Sequence, residues 1–219
     1  LDIVSLTPGP RQLVADTFIA VTGQGRRYFC KATFKQGFIP AIVASLEAME
    51  QLHELLPDRV CHPARTTDNA LHVRIPGGIL VVLDFVAGET SYDYSYATFG
   101  AVTARIHEAT QQITCTVPTQ SFSQDAEADF VVERFETARR YSGADAALGE
   151  LRVVARRRAD RFRRLAEIHR AATERCMRSA PALVMTHGDA PGNVLVRSAE
   201  DFTIIDWDEG MLAPAERDL

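Results

Sequence analysis

The sequence predicts an α+β protein built as two lobes, an antiparallel sheet with one helix followed by a mostly helical part. Short strand-like runs separated by turn residues fill the first part of the chain, and long segments with helical spacing of apolar residues fill the second. The composition shifts between them at Gly88, where "AGETSYDYSYATFG" follows the last apolar run. We therefore expect a β-rich N-terminal lobe over residues 1–86 and a helical C-terminal lobe over residues 87–219.

The N-terminal lobe is predicted to hold two hairpins joined by a helix. The turn sequences "TGQGR" and "PGG" each separate two strand-like runs, as a hairpin requires. Strands are expected at Asp2–Leu6, Thr17–Val21, Arg27–Phe34, Leu71–Ile75 and Ile79–Phe85. Ala41–Leu56 has apolar residues at helical spacing, and Pro57 ends the pattern. These elements predict a small antiparallel sheet with one helix packed against it.

The C-terminal lobe is predicted to contain three helices and then three short strands. The last helix has an apolar stripe and an arginine-rich polar side, "RRRADRFRR". The helices are expected at Thr98–Thr110, Glu127–Tyr141 and Ala147–Arg178, and the strands at Ala182–Met185, Asn193–Arg197 and Phe202–Ile205. This lobe therefore places its strands, and the loops between them, at the end of the sequence.

Composition excludes several classes of protein. The 219 residues are 46% hydrophobic, which is enough for a core, and the net charge of −5 suits a cationic small ligand better than nucleic acid. The four cysteines form no CxxC pair, which indicates a reducing compartment and argues against structural zinc. No signal peptide is visible, and the apolar run Ile79–Leu83 is too short to cross a bilayer. We expect a cytoplasmic protein that binds neither membrane nor nucleic acid.

Two motifs near the end of the chain bring polar side chains between strand-like segments. In "MTHGDAPGNVLV", Asp189 follows one strand and Asn193 opens the next, while Asp206 ends the third strand in "IIDWD". Carboxylate and amide oxygens suit Mg²⁺ held together with phosphates, and a further carboxylate can accept a proton from a hydroxyl group. In the other lobe, Lys31 lies mid-strand in the apolar setting "YFCKATF" and needs an anionic partner, for which phosphate oxygens and Glu47 of the following helix would serve.

This set of residues resembles the kinase-like family of aminoglycoside and choline phosphotransferases. That family has a strand Lys, a helix Glu, an HGDxxxxN loop and an ID metal motif, parts that it shares with protein kinases. The segment "IIDWDEGMLAPAERDL" is most similar to the spectinomycin phosphotransferase branch. The resemblance implies a bilobal protein-kinase-like fold, with a nucleotide-binding N-terminal lobe and a catalytic C-terminal lobe.

The resemblance also assigns a role in catalysis or metal binding to residues of the C-terminal lobe. Asp189 would be the base that orients and deprotonates the hydroxyl group of the substrate. Asn193 and Asp206 would be the ligands of Mg²⁺.

The remaining assignments concern ATP. Lys31 would contact the α- and β-phosphates, with Glu47 as its ion-pair partner and Glu50, three residues further along the helix, as the alternative. The backbone of Asp84 and Val86, between the lobes, would form hydrogen bonds with adenine.

Three features depart from the family pattern. Three residues separate Asp189 from Asn193, one fewer than in the family loop, and we expect Pro191 and Gly192 to form a tight turn with Gly192 at positive φ that keeps Asp189 facing the cleft. The first turn, "TPGPRQLVAD", contains Gly9 alone as a phosphate-covering glycine. The chain also ends soon after the metal motif, so the C-terminal helices of the family fold are expected to be missing.

The predicted function is ATP- and Mg²⁺-dependent transfer of a phosphoryl group to a hydroxyl of a small, cationic molecule, an aminoglycoside-type antibiotic. Kinases for another small alcohol, such as choline, a sugar amine or homoserine, remain alternatives, as does a non-catalytic relative with the same fold. A nucleic-acid-binding module built on Arg156–Arg164 is a weaker alternative, because Asp160 interrupts the run of charge.

Overall fold

The computed structural model, which describes residues 2–121 and 125–219, contains the antiparallel sheet predicted for the first part of the chain. Its strands are β1 (Ile3–Pro8), β2 (Ala15–Thr22), β3 (Arg27–Thr33), β4 (Val73–Ile75) and β5 (Gly78–Asp84). They are arranged in the order β1-β2-β3-β5-β4, with every pair antiparallel. In the central strand β3, Lys31 lies opposite Thr17 on one side and Val81 on the other.

Helix α1 (Ile39–Leu55) follows β3, as the sequence predicts. Pro40 in the first turn suits the start of a helix, since its missing N–H is not needed there, and the helix ends before Pro57. The buried residues Ile42, Leu46, Met49 and Leu52 recur at helical spacing on one face. That face packs into a core that also includes Val81 of β5.

Later strands form two further small sheets beside helix α2 (Tyr96–Ala109). One sheet has the order β6-β8-β9, from β6 (Glu89–Thr90), β8 (Val194–Ser198) and β9 (Asp201–Ile204). The other pairs β7 (Val184–Thr186) with β10 (Met211–Ala213). The sequence predicts β7, β8, β9 and α2 but misses β6 and β10, which have two and three residues.

The apolar core lies beneath the strand ends that carry the predicted site. Its most deeply buried large side chains include Leu52 of α1, Ile106 of α2, Met185 of β7, and Phe202 and Ile204 of β9. Trp207, just beyond β9, is 2% exposed and belongs to the same core. Close packing here fixes the ends of β7, β8 and β9 relative to α1.

Two long helices, α3 (Asp125–Arg140) and α4 (Ala146–Ser179), pack against each other as an antiparallel pair. The rings of Phe135 and Phe162 stack at 3.9 Å, and Glu136 accepts hydrogen bonds from Arg139 and Arg163. Both helices agree with the sequence prediction. Among the described residues, no helix combines the length and the apolar character needed to cross a membrane.

The described residues divide into two compact units. One comprises the chain up to Thr119 together with Leu183–Leu219, and the other comprises Gln120–Ala182. The predicted lobe boundary between residues 86 and 87 falls inside the first unit. The division into a nucleotide-binding and a catalytic lobe therefore stays a prediction.

Candidate active site

A cleft in the first unit brings most of the predicted site residues together. Its volume is about 360 Å³. The predicted residues that line it are Lys31, Asp84, Val86, Asn193 and Asp206. Apolar side chains from β2, β3, α1 and β5 line the rest, among them Ile19, Phe29, Met49 and Leu83. An apolar cavity with a few polar groups at one end is the usual form of a small-molecule site.

Lys31 is the buried cation of this cleft. Its side chain is held by two carboxylates, with Nζ 2.5 Å from Asp206 Oδ1 and 2.5 Å from Asp208 Oδ2. Burial acts to lower the pKa of Lys31, but Asp208 and Asp206 outweigh burial and hold that pKa above its ordinary value. Lys31 is therefore a fixed positive charge, and the two carboxylates offset the cost of burying it.

The predicted pairing of Lys31 with Glu47 is not what the structure shows. Glu47 is exposed on α1, and Lys31 contacts Asp206 and Asp208 instead. The alternative, Glu50, receives two hydrogen bonds from Arg65. Neither glutamate thus contacts Lys31. The turn after β9 brings two carboxylates to Nζ, and Arg65, which lies outside the cleft, pairs with Glu50.

His187 holds the loop between β7 and β8 in place. It is 2% exposed and meets the Trp207 ring edge-on, with the ring centroids 4.7 Å apart. Its Nε2 lies 2.8 Å from the Ile205 carbonyl, to which it donates, and Nδ1 accepts from the Asp189 N–H at 3.2 Å. Burial lowers the pKa of His187, which agrees with this neutral form. The histidine is a structural hydrogen-bonding residue.

Asp218 anchors the same loop from the end of the chain. Its buried carboxylate accepts hydrogen bonds from the backbone N–H of His187 at 3.0 Å and of Gly188 at 2.6 Å. It also lies 3.0 Å from His107 Nε2 on α2. These contacts join segments at least thirty positions apart, so no local motif specifies them.

The connection from Asp189 to Asn193 is a single 3₁₀ turn over Ala190–Gly192. Asn193 N–H donates to the Ala190 carbonyl at 2.9 Å, which closes the turn. The prediction of positive φ at Gly192 is wrong; the glycine of this loop with positive φ is Gly188, at 88°. A 3₁₀ turn rises about 2 Å per residue. Three residues in this conformation can therefore connect Asp189 to Asn193 without a left-handed residue.

Asp189 lies next to the cleft but is not among its lining residues. Its carboxylate is exposed, and its Oδ2 accepts a hydrogen bond from Asn193 Nδ2 at 3.1 Å. The same amide group donates to the Asp189 carbonyl at 2.8 Å. The two predicted residues are thus joined directly, and the exposed carboxylate can still meet a group that arrives from solvent.

The oxygens of Asn193 and Asp206 suit a hard divalent cation. Because Asn193 uses its amide nitrogen toward Asp189, its side-chain oxygen stays available as a ligand. Asp206 has left-handed backbone, with φ at 64°, and directs one carboxylate oxygen to Lys31. Among the described residues, no group of three or more His, Cys, Asp or Glu is arranged to hold a metal. Magnesium commonly takes one or two protein oxygens and completes its shell with phosphates and water, so this pair fits.

Asp208 is a further residue of the cleft, outside the set predicted from the sequence. It is partly buried and bonded to Lys31. Burial, with a further contribution from Asp206, raises the pKa of Asp208 above its usual range against the effect of Lys31. The sequence feature that could have indicated this role is the position of Asp208 two residues after Asp206, in "IIDWD".

Asp84 and Val86 lie where β5 leaves the sheet. The Asp84 N–H donates to the His62 carbonyl at 2.9 Å, and its carboxylate pairs with Arg26 at 2.9 Å. The Phe85 N–H donates to the Arg27 carbonyl of β3. Because the N–H and C=O of one peptide group point in opposite directions, the Asp84 carbonyl points away from β3. Of the backbone polar groups of Asp84, the carbonyl is therefore the one suited to adenine.

Comparison with known proteins identifies the family of this chain. The profile of the phosphotransferase enzyme family, APH, matches residues 6–219. The chain belongs to this family, and the resemblance found in the sequence is confirmed. A search of curated proteins found no match.

Solved structures show the same kinase-like fold. Spectinomycin phosphotransferase, APH(9)-Ia, in complex with ADP and spectinomycin has a TM-score of 0.68 at 21% identity, over 98% of this chain and 66% of that one. The AMP-bound complex of APH(9)-Ia has a TM-score of 0.71 at 18% identity, over 100% of this chain and 68% of that one. An aminoglycoside phosphotransferase from Alicyclobacillus acidocaldarius subsp. acidocaldarius DSM 446 has a TM-score of 0.60 at 18% identity, over 98% and 66%. The chain thus spans about two thirds of the length of the proteins it resembles.

Proposed function

We propose that this protein transfers the γ-phosphoryl group of ATP, with Mg²⁺, to a hydroxyl group of a small aminoglycoside-type antibiotic. The observation that carries the proposal is the cleft, in which Lys31, Asn193 and Asp206 line one cavity of a phosphotransferase family member. A buried cation and two hard oxygen ligands at the end of an apolar pocket match the needs of a nucleotide with its base buried and its phosphates at the polar end.

Each residue has a task that its geometry supports. Lys31 supplies a fixed positive charge to the phosphate oxygens, and Asn193 and Asp206 would hold Mg²⁺, which neutralises charge on the phosphates when it is bound. Asp189, exposed beside the cleft, would accept a hydrogen bond from the acceptor hydroxyl and aim it at the phosphate. Positioning and charge neutralisation account for most of the catalysis in this type of reaction.

Two observations support the substrate class. The structure of APH(9)-Ia named above holds ADP and spectinomycin together, and this chain shares its fold. The net charge of −5 favours the approach of a cationic molecule. Aminoglycosides carry both the amines and the hydroxyl groups that such a site needs.

A second candidate is a relative that binds nucleotide without transferring phosphate. The shortened loop favours it, because the Asp189 carboxylate is bonded to the Asn193 side chain. A shift of the base by ~1 Å can cost on the order of 10²-fold in rate.

An ADP-release assay separates these candidates. The assay uses spectinomycin, streptomycin, choline, a sugar amine and homoserine as acceptors, with the parent protein and Asp189→Asn. We expect the parent to release ADP with an aminoglycoside-type acceptor, and the variant to lose on the order of 10²–10⁴-fold in rate while it still binds ADP. A parent protein that binds ADP but transfers phosphate to none of them would favour the second candidate. Unchanged transfer by Asp189→Asn would contradict the assigned base.

A further inference from the structure

We infer that Asp208, and not a glutamate of α1, is the positioning residue that holds Lys31 ready for the phosphates of the nucleotide. The inference rests on the proposed function and names a partner that the family resemblance does not assign. It follows from the contacts of Lys31, from the surroundings of the α1 glutamates, and from the way the turn after β9 is fixed.

The contacts leave Lys31 dependent on that turn. Its side chain is 6% exposed, and such a buried ammonium needs a carboxylate partner. Asp206 and Asp208 supply two, each 2.5 Å from Nζ. On α1, Glu47 is exposed and Glu50 is occupied by Arg65, so this helix brings no carboxylate to Lys31.

Of the two carboxylates, Asp208 is the one with no other task. Asp206 is also proposed to hold the metal, so its oxygens would be divided between two cations. Asp208 makes its hydrogen bond to Lys31 and, among the described residues, has no second bonding partner in the structure. Because Asp208 bonds to Lys31 independently of Asp206, it can hold the lysine in place when Asp206 binds the metal.

The turn that carries Asp208 is well fixed. Trp207, which precedes it, is 2% exposed and donates from Nε1 to the Ile204 carbonyl at 3.1 Å. The turn continues as a short 3₁₀ segment over Trp207–Glu209. Because the indole is locked in the core, Asp208 is held at a set distance from β3. The lysine side chain is thereby already ordered before the nucleotide binds, so binding does not have to supply the entropy cost of ordering it.

The first test needs no ligand. The chain contains two lysines, Lys31 and the exposed Lys35, so acetylation by acetic anhydride followed by peptide mass spectrometry reports Lys31 against an internal standard. We expect the ratio of Lys31 to Lys35 acetylation to rise severalfold in Asp208→Asn and to return toward the parent ratio in Asp208→Glu. Glu47→Gln and the control Glu54→Gln, on the same helix, should keep the parent ratio. A rise in Glu47→Gln, with none in Asp208→Asn, would overturn the inference.

The second test measures ADP affinity by calorimetry in the presence of Mg²⁺. Asp208→Asn should bind roughly tenfold more weakly, the loss expected for one hydrogen bond between charged groups. In a Lys31→Met background the same change should cost nothing further, because Asp208 acts through Lys31. Equal losses in both backgrounds, or tighter binding by Asp208→Asn, would show that Asp208 does not position the lysine. A parent protein with the expected acetylation pattern but no ADP binding would establish the pairing and overturn the proposed function.

Discussion

At the level of single residues, His187 shows how a histidine beside the proposed base can serve structure alone. Nε2 donates to the Ile205 carbonyl and Nδ1 accepts from the Asp189 N–H, so both ring nitrogens are used and the ring must be neutral. Burial lowers its pKa, although the carboxylates of Asp218, Asp206 and Asp189 act in the opposite direction. A proton on Nδ1 would remove the acceptor of the Asp189 N–H.

This arrangement predicts a loss of stability at mildly acidic pH. The folded-state pKa of His187 lies below the ordinary value of 6.5, so the unfolded chain takes up a proton first as the pH falls. The contribution of His187 is thus complete above that value and is lost as the pH falls toward the folded-state pKa. His187→Gln keeps a donor for the Ile205 carbonyl but cannot titrate. Its difference in unfolding free energy from the parent should therefore shrink between about pH 7.5 and about pH 5.5.

Urea unfolding at both pH values measures that difference. His169→Gln is the control. His169 is exposed on α4, so this substitution removes a histidine that makes no contact with the loop. If the parent and His187→Gln differ in unfolding free energy by the same amount at the two pH values, the buried ring does not govern the pH dependence.

At the level of elements, the loop between β7 and β8 needs a glycine at position 188 and not at position 192. Gly188 has φ at 88°, and a Cβ there would overlap the Arg217 guanidinium, which packs directly on the glycine. At Gly192 the nearest neighbour of a Cβ would be Tyr92 Oη at 3.6 Å, an ordinary contact.

Alanine at each position should therefore give opposite results. Gly188→Ala puts a side chain on left-handed backbone and displaces the Arg217 guanidinium; the backbone strain alone should destabilise the protein by about 1–3 kcal/mol. Gly192→Ala should change stability by less than about 0.5 kcal/mol or stabilise the protein slightly, since alanine restricts the unfolded chain more than glycine does. Chemical denaturation of the two variants beside the parent measures both. Equal destabilisation by the two changes would mean that the turn at Gly192 is also constrained.

The same elements show what the sequence can predict. The helices and the hairpins carry strong periodic signals, so α1, α2, α4 and the strand bearing Lys31 follow from sequence alone. The motif around Asp189, Asn193 and Asp206 is local, so the grouping of Asn193 and Asp206 in one cleft could be expected from it. The partner of Lys31 could not, because it depends on which of several acidic residues the packing of Trp207 carries to Nζ. The backbone of Gly192 was mispredicted for a related reason, since a Pro-Gly pair suits both a 3₁₀ turn and a left-handed one.

At the level of the whole molecule, ion pairs accompany part of the arginine-rich helix α4. In the unit formed by α3 and α4, Arg163 contacts Glu136 and Asp160, and Arg170 contacts Asp129. These two arginines thus meet carboxylates of their own unit, as is typical of a solvated helix face with ion pairs. The net charge of −5 would favour the approach of the small cationic substrate proposed above.

Ligand binding to the folded protein should raise the melting temperature, which gives a test of the metal ligands in the intact chain. A ligand present at about 100 times its dissociation constant stabilises the folded state by about 2.7 kcal/mol. We expect ADP with EDTA to raise the melting temperature of the parent, and ADP with Mg²⁺ to raise it further, since the cation would be held jointly by phosphate and by the oxygens of Asn193 and Asp206.

Asp206→Asn should keep part of the ADP effect and lose the increment due to Mg²⁺, because an amide oxygen is a poorer ligand for a hard cation than a carboxylate. Asp201→Asn is the matched control. Asp201 is a carboxylate at the other end of β9 whose two oxygens bond to Arg197, away from the cleft, so the Mg²⁺ increment should survive its loss. Differential scanning fluorimetry of the three proteins under the two conditions measures both increments. If Asp206→Asn retains the full Mg²⁺ increment, the cation is held elsewhere and the assignment of Asp206 as a metal ligand is wrong. If the parent shows an ADP effect that Mg²⁺ does not enlarge, the cleft binds nucleotide without the cation that phosphoryl transfer requires.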